Sequence, residues 1–119
     1  MIIGIGVDSI EISRVQKAME KDHFVHRIFT EKEMEQMDST KRRGASDFAG
    51  KEAVVKALGT GFIGIGALEV EILRDDKGAP YVILYGAAKE LSERKGITDW
   101  KISITNTKEV ATAFVVATG

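Results

Sequence analysis

Glu52 and Lys56 are the first side chains whose types and spacing suggest chemistry, in the run Asp47-Phe48-Ala49-Gly50-Lys51-Glu52-Ala53-Val54-Val55-Lys56-Ala57-Leu58-Gly59-Thr60-Gly61. Wound as a helix at about 100° per residue, this run sets Glu52 between Phe48 and Ala49 on the wheel. Lys56 falls between Glu52 and Ala49, while Val54, Ala57 and Leu58 cover much of the opposite surface. A helix that is apolar over most of its circumference is normally buried. Opposite charges inside such an arc need each other, a metal ion or a phosphate to offset their desolvation. The plainer alternative is a solvated Glu–Lys pair four residues apart, worth about 0.2–0.5 kcal/mol.

Asp8 brings a second carboxylate, beside Gly4 and Gly6 at the expected end of an apolar strand. Two readings stand: Asp8 or Ser9 caps the helix that follows, or Asp8 is a metal ligand. Paired with Glu52, it makes a donor set suited to Mg²⁺, which takes one or two carboxylates plus waters and substrate phosphates. Lys56, one turn beyond Glu52, would then present a point charge to the same phosphates.

The other motifs carry less. Gly59-Thr60-Gly61-Phe62-Ile63-Gly64 matches G-x-G-x-x-G letter for letter, but it follows a helix where the dinucleotide fingerprint requires a strand. Gly59 and Gly61 therefore read as a helix stop and a tight turn whose backbone N–H groups could approach a phosphate. His23 and His26 are the only histidines and have no third ligand nearby in sequence, so they read as surface residues rather than a zinc site.

The elements that must position Asp8 and Glu52 follow from periodicity. Met1 to Val7 is predicted as a strand with Ile3, Ile5 and Val7 on one face and Gly4 and Gly6 on the other, where another backbone or a ligand can approach closely. Ile10 to Lys21 is predicted as an amphipathic helix with Ile12, Val15, Ala18 and Met19 inward. Thr30-Glu31-Lys32-Glu33 is a capping box opening a short helix, and Lys41-Arg42-Arg43-Gly44 reads as a basic connection. Leu68 to Leu73 alternates as a half-buried strand and pairs with Tyr81 to Tyr85 across turn residues. A helix over Ala87 to Lys95 and a hairpin of Trp100 to Thr105 with Glu109 to Ala117 complete the chain. The pattern is α+β with mostly antiparallel pairing.

Length and composition set bounds. At 119 residues the chain is expected to be one domain, 1–119, small enough for assembly to be a natural way to gain core. A net charge of −1 gives no footprint for nucleic acid. No apolar run reaches the ~18 residues of a membrane span, and the apolar N-terminus lacks the basic flank of a signal peptide. Zero cysteines exclude disulfides and thiolate sites and fit the cytoplasm.

These residues resemble the holo-acyl-carrier-protein synthases, the short single-domain class of 4′-phosphopantetheinyl transferase. The resemblance rests on Gly4-Ile5-Gly6-Val7-Asp8, on Phe24-Val25-His26-Arg27-Ile28-Phe29-Thr30 with Glu33, and on Phe48 through Gly61, similar to the family's F-A-x-K-E-A-x-x-K-A-x-G-T-G. Ile102 through Glu109 matches where the family writes S-[IL]-[ST]-H. The resemblance implies transfer of the 4′-phosphopantetheine arm of coenzyme A to a serine of an acyl carrier protein in fatty acid biosynthesis. It implies Asp8 and Glu52 as Mg²⁺ ligands, and Lys56 on the pyrophosphate. It also implies Gly59, Gly61, Thr105 and Asn106 near coenzyme A, Arg14 and Arg27 facing the carrier protein, and a homotrimer with sites at the subunit interfaces. Glu52 and a metal-bound water are both candidates for the base that takes the serine proton.

Two departures bear on coenzyme A. Asn106 stands where the family usually has histidine, and amide groups cannot become cationic. Asp47 stands where many members carry Arg, reversing a charge expected near the 3′-phosphate. Weaker coenzyme A binding with retained activity is the expectation. The alternatives are a non-catalytic nucleotide- or carrier-binding module of the same fold, and another Mg²⁺-dependent phosphoesterase.

Overall fold

A computed structural model describes residues 1–119. In chain order the elements are β1 (Ile2–Glu11), α1 (Ile12–Ala18), α2 (Asp22–Ile28), α3 (Glu31–Glu35), α4 (Arg42–Leu58), β2 (Val70–Arg74), β3 (Pro80–Leu84), α5 (Gly86–Arg94), β4 (Asp99–Asn106) and β5 (Val110–Thr118). A 3₁₀ turn at Ala67–Glu69 leads into β2. Both sheets are antiparallel: one in the order β1-β5-β4, the other the β2-β3 hairpin. The expected α+β architecture holds, with α4 as its hub between the sheets.

The pleat of the larger sheet decides which residues α4 covers. Gly4, Gly6, Asp8 and Ile10 stand opposite Ala117, Val115, Ala113 and Ala111 on β5, and strand neighbours in register share a face. Ala49, Ala53 and Ala57 of α4 join Ala113, Val115 and Ala117 in one buried core, with Val54, Leu58, Val70 and Ile72. A smaller core gathers Ile12, Val15, Met19, Phe29, Ala45 and Ala111 beneath α1 and α2. Gly6 has no alternative residue: a Cβ there would collide with the Ala53 carbonyl oxygen, and one at Gly4 with that of Ala57. Two glycines thus let backbone meet backbone, the close approach expected from the strand pattern.

Three expectations need correction. The first strand does not stop at Asp8 but continues to Glu11, because β5 offers ladder partners as far as Val110. Consequently α1 begins at Ile12, its N-cap is Glu11 without a side-chain bond, and Ser9 pairs instead with Thr112 Oγ1 at 2.8 Å. The capping role for Asp8 or Ser9 is excluded. The basic run is no simple exposed connection either. Arg42 and Arg43 already belong to α4, held by bonds to the carbonyls of Thr107, Lys108 and Gln36. Finally, β2 is buried on both faces, Glu71 included, since α4 and α3 pack on what a hairpin alone would expose.

Other expectations hold. The Thr30–Glu33 capping box forms in full. Gly59 ends α4 in the left-handed region at φ 84°, where glycine carries no Cβ penalty.

Candidate active site

On α4 between Gly44 and Leu58, only Phe48, Glu52 and Lys56 escape full burial. They are spaced four residues apart and so form one stripe. That stripe lies along the free side of β1, where Asp8 shares the strand face that α4 covers. Lys56 Nζ donates to Val7 O at 3.0 Å and to Asp8 Oδ1 at 3.2 Å. Its side chain remains half exposed, whereas that of Asp8 is 18% exposed. Burial pushes the Glu52 carboxyl above the usual glutamate range, and the negative charge of Asp8 pushes it further in the same direction, against the pull of Lys56. Two carboxylates with one ammonium beside them form a site short of positive charge.

Such a donor set fits a hard divalent cation. No group of three or more His, Cys, Asp or Glu side chains within the chain is arranged to hold a metal ion by itself. Mg²⁺, which retains waters and accepts phosphate oxygens, needs no more than two carboxylates.

The remaining candidates lie apart from this centre. The N–H groups of Gly59, Thr60 and Gly61 all turn back onto Val55 O at 3.1–3.2 Å. In this structure the three N–H groups share that one carbonyl oxygen. What Gly61 retains is open space around its Cα, with φ 59°. Asn106 sits on the inner face of β4, its amide donating to Ser46 Oγ at 2.9 Å. Thr105 points to the opposite, exposed face.

Asn106 lies on the far edge strand from Asp8, two strands away, with the buried Ala49–Ala53 side of α4 packed between. Asn106 and Ser46 line a cleft of about 330 Å³ together with Arg42, Arg43 and Arg74. Asp47 is not part of its surface. It is buried, and Arg74 Nη1 binds its Oδ1 at 2.7 Å. Burial pushes the Asp47 carboxyl up to about 7, against the attraction of Arg74. The charge reversal expected from Asp47 is thereby offset, since Arg74 brings a guanidinium to the same place.

Arg14 lines a second cleft of about 450 Å³ with Lys17, Lys21, His23 and Phe24, while Arg27 is exposed on α2 outside it. His23 and His26 are both exposed, as expected.

A family model, that of the 4′-phosphopantetheinyl transferase superfamily, matches residues 4–115. The chain belongs to this family. Its curated relatives include the holo-[acyl-carrier-protein] synthase of Lachnoclostridium phytofermentans, 51% identical over 98% of this chain and 95% of the relative. That of Clostridium novyi is 43% identical over 98% and 87%. Among solved structures, the Neisseria meningitidis holo-[acyl-carrier-protein] synthase aligns over all of both chains with a TM-score of 0.90 at 31% identity. The Helicobacter pylori synthase, solved in complex with coenzyme A, aligns over 96% of this chain and 99% of that one, with a TM-score of 0.83 at 30% identity. The family fold is thus present from end to end, and Asp8, Glu52 and Lys56 all fall within the matched residues.

Sequence reasoning gave no role to Lys51, Glu71 and Arg74, and read Glu33 as a capping and motif residue without its partner Lys51. Lys51 Nζ contacts Glu33 Oε1 at 2.8 Å with both side chains fully buried. The only signal was a lysine inside an otherwise apolar arc, and its partner lies eighteen residues earlier.

Proposed function

We propose that this chain transfers the 4′-phosphopantetheine group of coenzyme A to a serine hydroxyl of an apo acyl carrier protein, in the cytoplasm and in fatty acid synthesis. The serine oxygen attacks the phosphorus bearing the pantetheine arm and gives its proton to a base. The P–O bond to the nucleotide breaks, and adenosine 3′,5′-bisphosphate leaves with the electron pair. The observation that carries this reading is the convergence of Asp8, Glu52 and Lys56 in a chain matched end to end by holo-[acyl-carrier-protein] synthases. In phosphoryl transfer, catalysis is mainly positioning and charge neutralisation.

Asp8 and Glu52 would hold Mg²⁺, which when bound supplies a Lewis acid and a template for the pyrophosphate. Lys56, tethered to Val7 O and half exposed, would offer its ammonium to the same phosphates. Arg42, Arg43 and Arg74, beside Asn106, suit the nucleotide phosphate. Thr105, Gly59 and Gly61 complete the coenzyme A contacts by position. The Arg14 cleft, basic with Phe24 at its edge, suits an acidic carrier protein, and Arg27 extends that surface. Such a contact steers association and weakens with salt.

A homotrimer is part of this reading, on two observations. Ile5, Val7 and Phe114 are 60%, 52% and 45% exposed, and Val7 faces Phe114 across the β1–β5 ladder, leaving an apolar sheet face uncovered. Asp8 and Asn106 also occupy opposite edge strands with core between them, so a ligand touching both kinds of residue is best held between two copies.

The test is to incubate the chain with apo acyl carrier protein, coenzyme A and Mg²⁺ and weigh the carrier protein. A gain of one phosphopantetheine, abolished by EDTA and by Glu52→Ala, is expected. Arg14→Ala should raise KM for the carrier protein only. Binding of either ligand without mass gain would favour a non-catalytic module instead.

A further inference from the structure

We propose that Lys51 is a positioning residue for Glu52, acting by locking the rotation of α4 about its own axis. The proposal rests on the reading of Asp8 and Glu52 as one site. Lys51 is fully buried, and its three N–H bonds are all used: Glu33 Oε1 at 2.8 Å, Ala67 O at 2.8 Å and Val70 O at 2.6 Å. Those acceptors belong to two pieces of chain remote in sequence: α3, and the 3₁₀ turn with the start of β2 that follows it. Glu33 is itself committed, accepting from Thr30 N at 2.9 Å and from Ile72 N at 2.8 Å. One ammonium therefore ties α4 to the layer behind it through directional bonds.

The need for such a tie comes from the other side of α4. Toward β1 and β5 the helix presents Ala45, Ala49, Ala53 and Ala57, and it meets mainly glycine and alanine, with Val115 the one larger fully buried side chain of β5 there. Contacts between small residues bring backbones close but offer few interlocking side chains to resist rotation, and apolar attraction is non-directional. Glu52 follows Lys51 directly, so any turn of the helix at Lys51 carries Glu52 with it. With side chains reaching about 5–6 Å from the axis, a rotation of about 10° moves the Glu52 carboxylate by roughly 1 Å relative to Asp8. A displacement of that size can cost on the order of 100-fold in rate.

The same arrangement explains why a lysine occupies a place where an apolar residue would pack more cheaply. Burial pulls the Lys51 ammonium below the usual lysine range, and Glu33 pulls it back. No buried side-chain polar atom in the molecule lacks a partner, so the clamp is complete.

The experiment compares wild type, Lys51→Met, and the doubly neutral Lys51→Met/Glu33→Gln, each assayed for carrier-protein loading, melted, and crystallised. The double variant is expected to melt below wild type, because glutamine has one acceptor oxygen for the two N–H groups of Thr30 and Ile72. It is therefore assayed at a temperature where it stays folded, and it should keep KM for the carrier protein within about twofold. Its kcat should fall at least tenfold, with the Asp8–Glu52 carboxylate separation changed in the crystal. A folded double variant with wild-type kcat and an unmoved Glu52 overturns the proposal. If the double variant does not fold, Glu33→Gln, assayed at a temperature where it stays folded, decides: reduced kcat with KM for the carrier protein unchanged supports the clamp, and unchanged kcat overturns it. A wild type that fails to load the carrier protein removes the functional reading. The crystallographic separation then judges the clamp on its own.

Discussion

The two flanks of α4 solve opposite problems. Toward β1, glycine and alanine remove every side chain that would hold the backbones apart, and the charges at that edge stay partly hydrated: Lys56 is half exposed where it meets Asp8. Toward β2 and α3, the charges are sealed. Glu33, Lys51, Glu71 and Asp47 are all at most 2% exposed. Glu71 accepts from Thr30 Oγ1 at 2.6 Å and from the Tyr85 hydroxyl at 2.7 Å. The hydrated flank can exchange its partners for those of a ligand, because water already screens its charges. The sealed flank cannot, because any partner removed leaves an uncompensated charge. One helix thus carries exchangeable charges on one side and permanent ones on the other.

Breaking the sealed flank should have the largest effect on stability. Glu33→Ala strands Lys51 and frees Thr30 N and Ile72 N, and should cost about 3–5 kcal/mol, read as a lowered midpoint in urea. Gly6→Val attacks the close approach itself. The added side chain meets the Ala53 carbonyl, and overpacking of this kind costs about 1–3 kcal/mol or more. Loading of the carrier protein should fall with it, as Asp8 moves away from Glu52.

A pH series separates the flanks further. The Asp47 carboxyl titrates near 7 in the folded chain against an ordinary value of 3.8. The folded state therefore holds that proton more tightly than the unfolded state does. The resulting stability is full below about pH 4 and is lost as pH rises through about 7, a change on the order of a few kcal/mol. Asp47→Asn should remove this slope between pH 5 and 7.5, as measured by urea unfolding at each pH. The smallest stability change belongs to the hydrated flank: Lys56→Ala should alter unfolding by less than about 1 kcal/mol while lowering kcat by at least tenfold. A large loss of stability there would erase the contrast between the flanks.

Much of the site could be read along the chain, because its members on α4 are local. Glu52 and Lys56 are one turn apart, and the arc around them is apolar, so their shared stripe follows from helical geometry alone. The Thr30–Glu33 box and the stop at Gly59 are local in the same sense. The end of β1 was not, since the ladder with β5, more than a hundred residues away, carries the strand past Asp8 and turns Ser9 toward Thr112. Nor was the fate of Asp47, whose charge looked like a surface reversal until Arg74, twenty-seven residues later, was found against it.

The amino-acid order alone determined most of the elements, the hairpin pairings, the apolar helix and the candidate side chains Asp8, Glu52 and Lys56. Those properties depend on periodicity and on neighbours within a turn or two. Only the folded chain decided that Lys56 binds Asp8 and that the Asp8 charge reaches Glu52, that Lys51 is bound to Glu33, and that Asn106 stands on the opposite edge strand from Asp8. Such pairings join segments remote in sequence, and it is the packing of α4 between two sheets that brings them into contact.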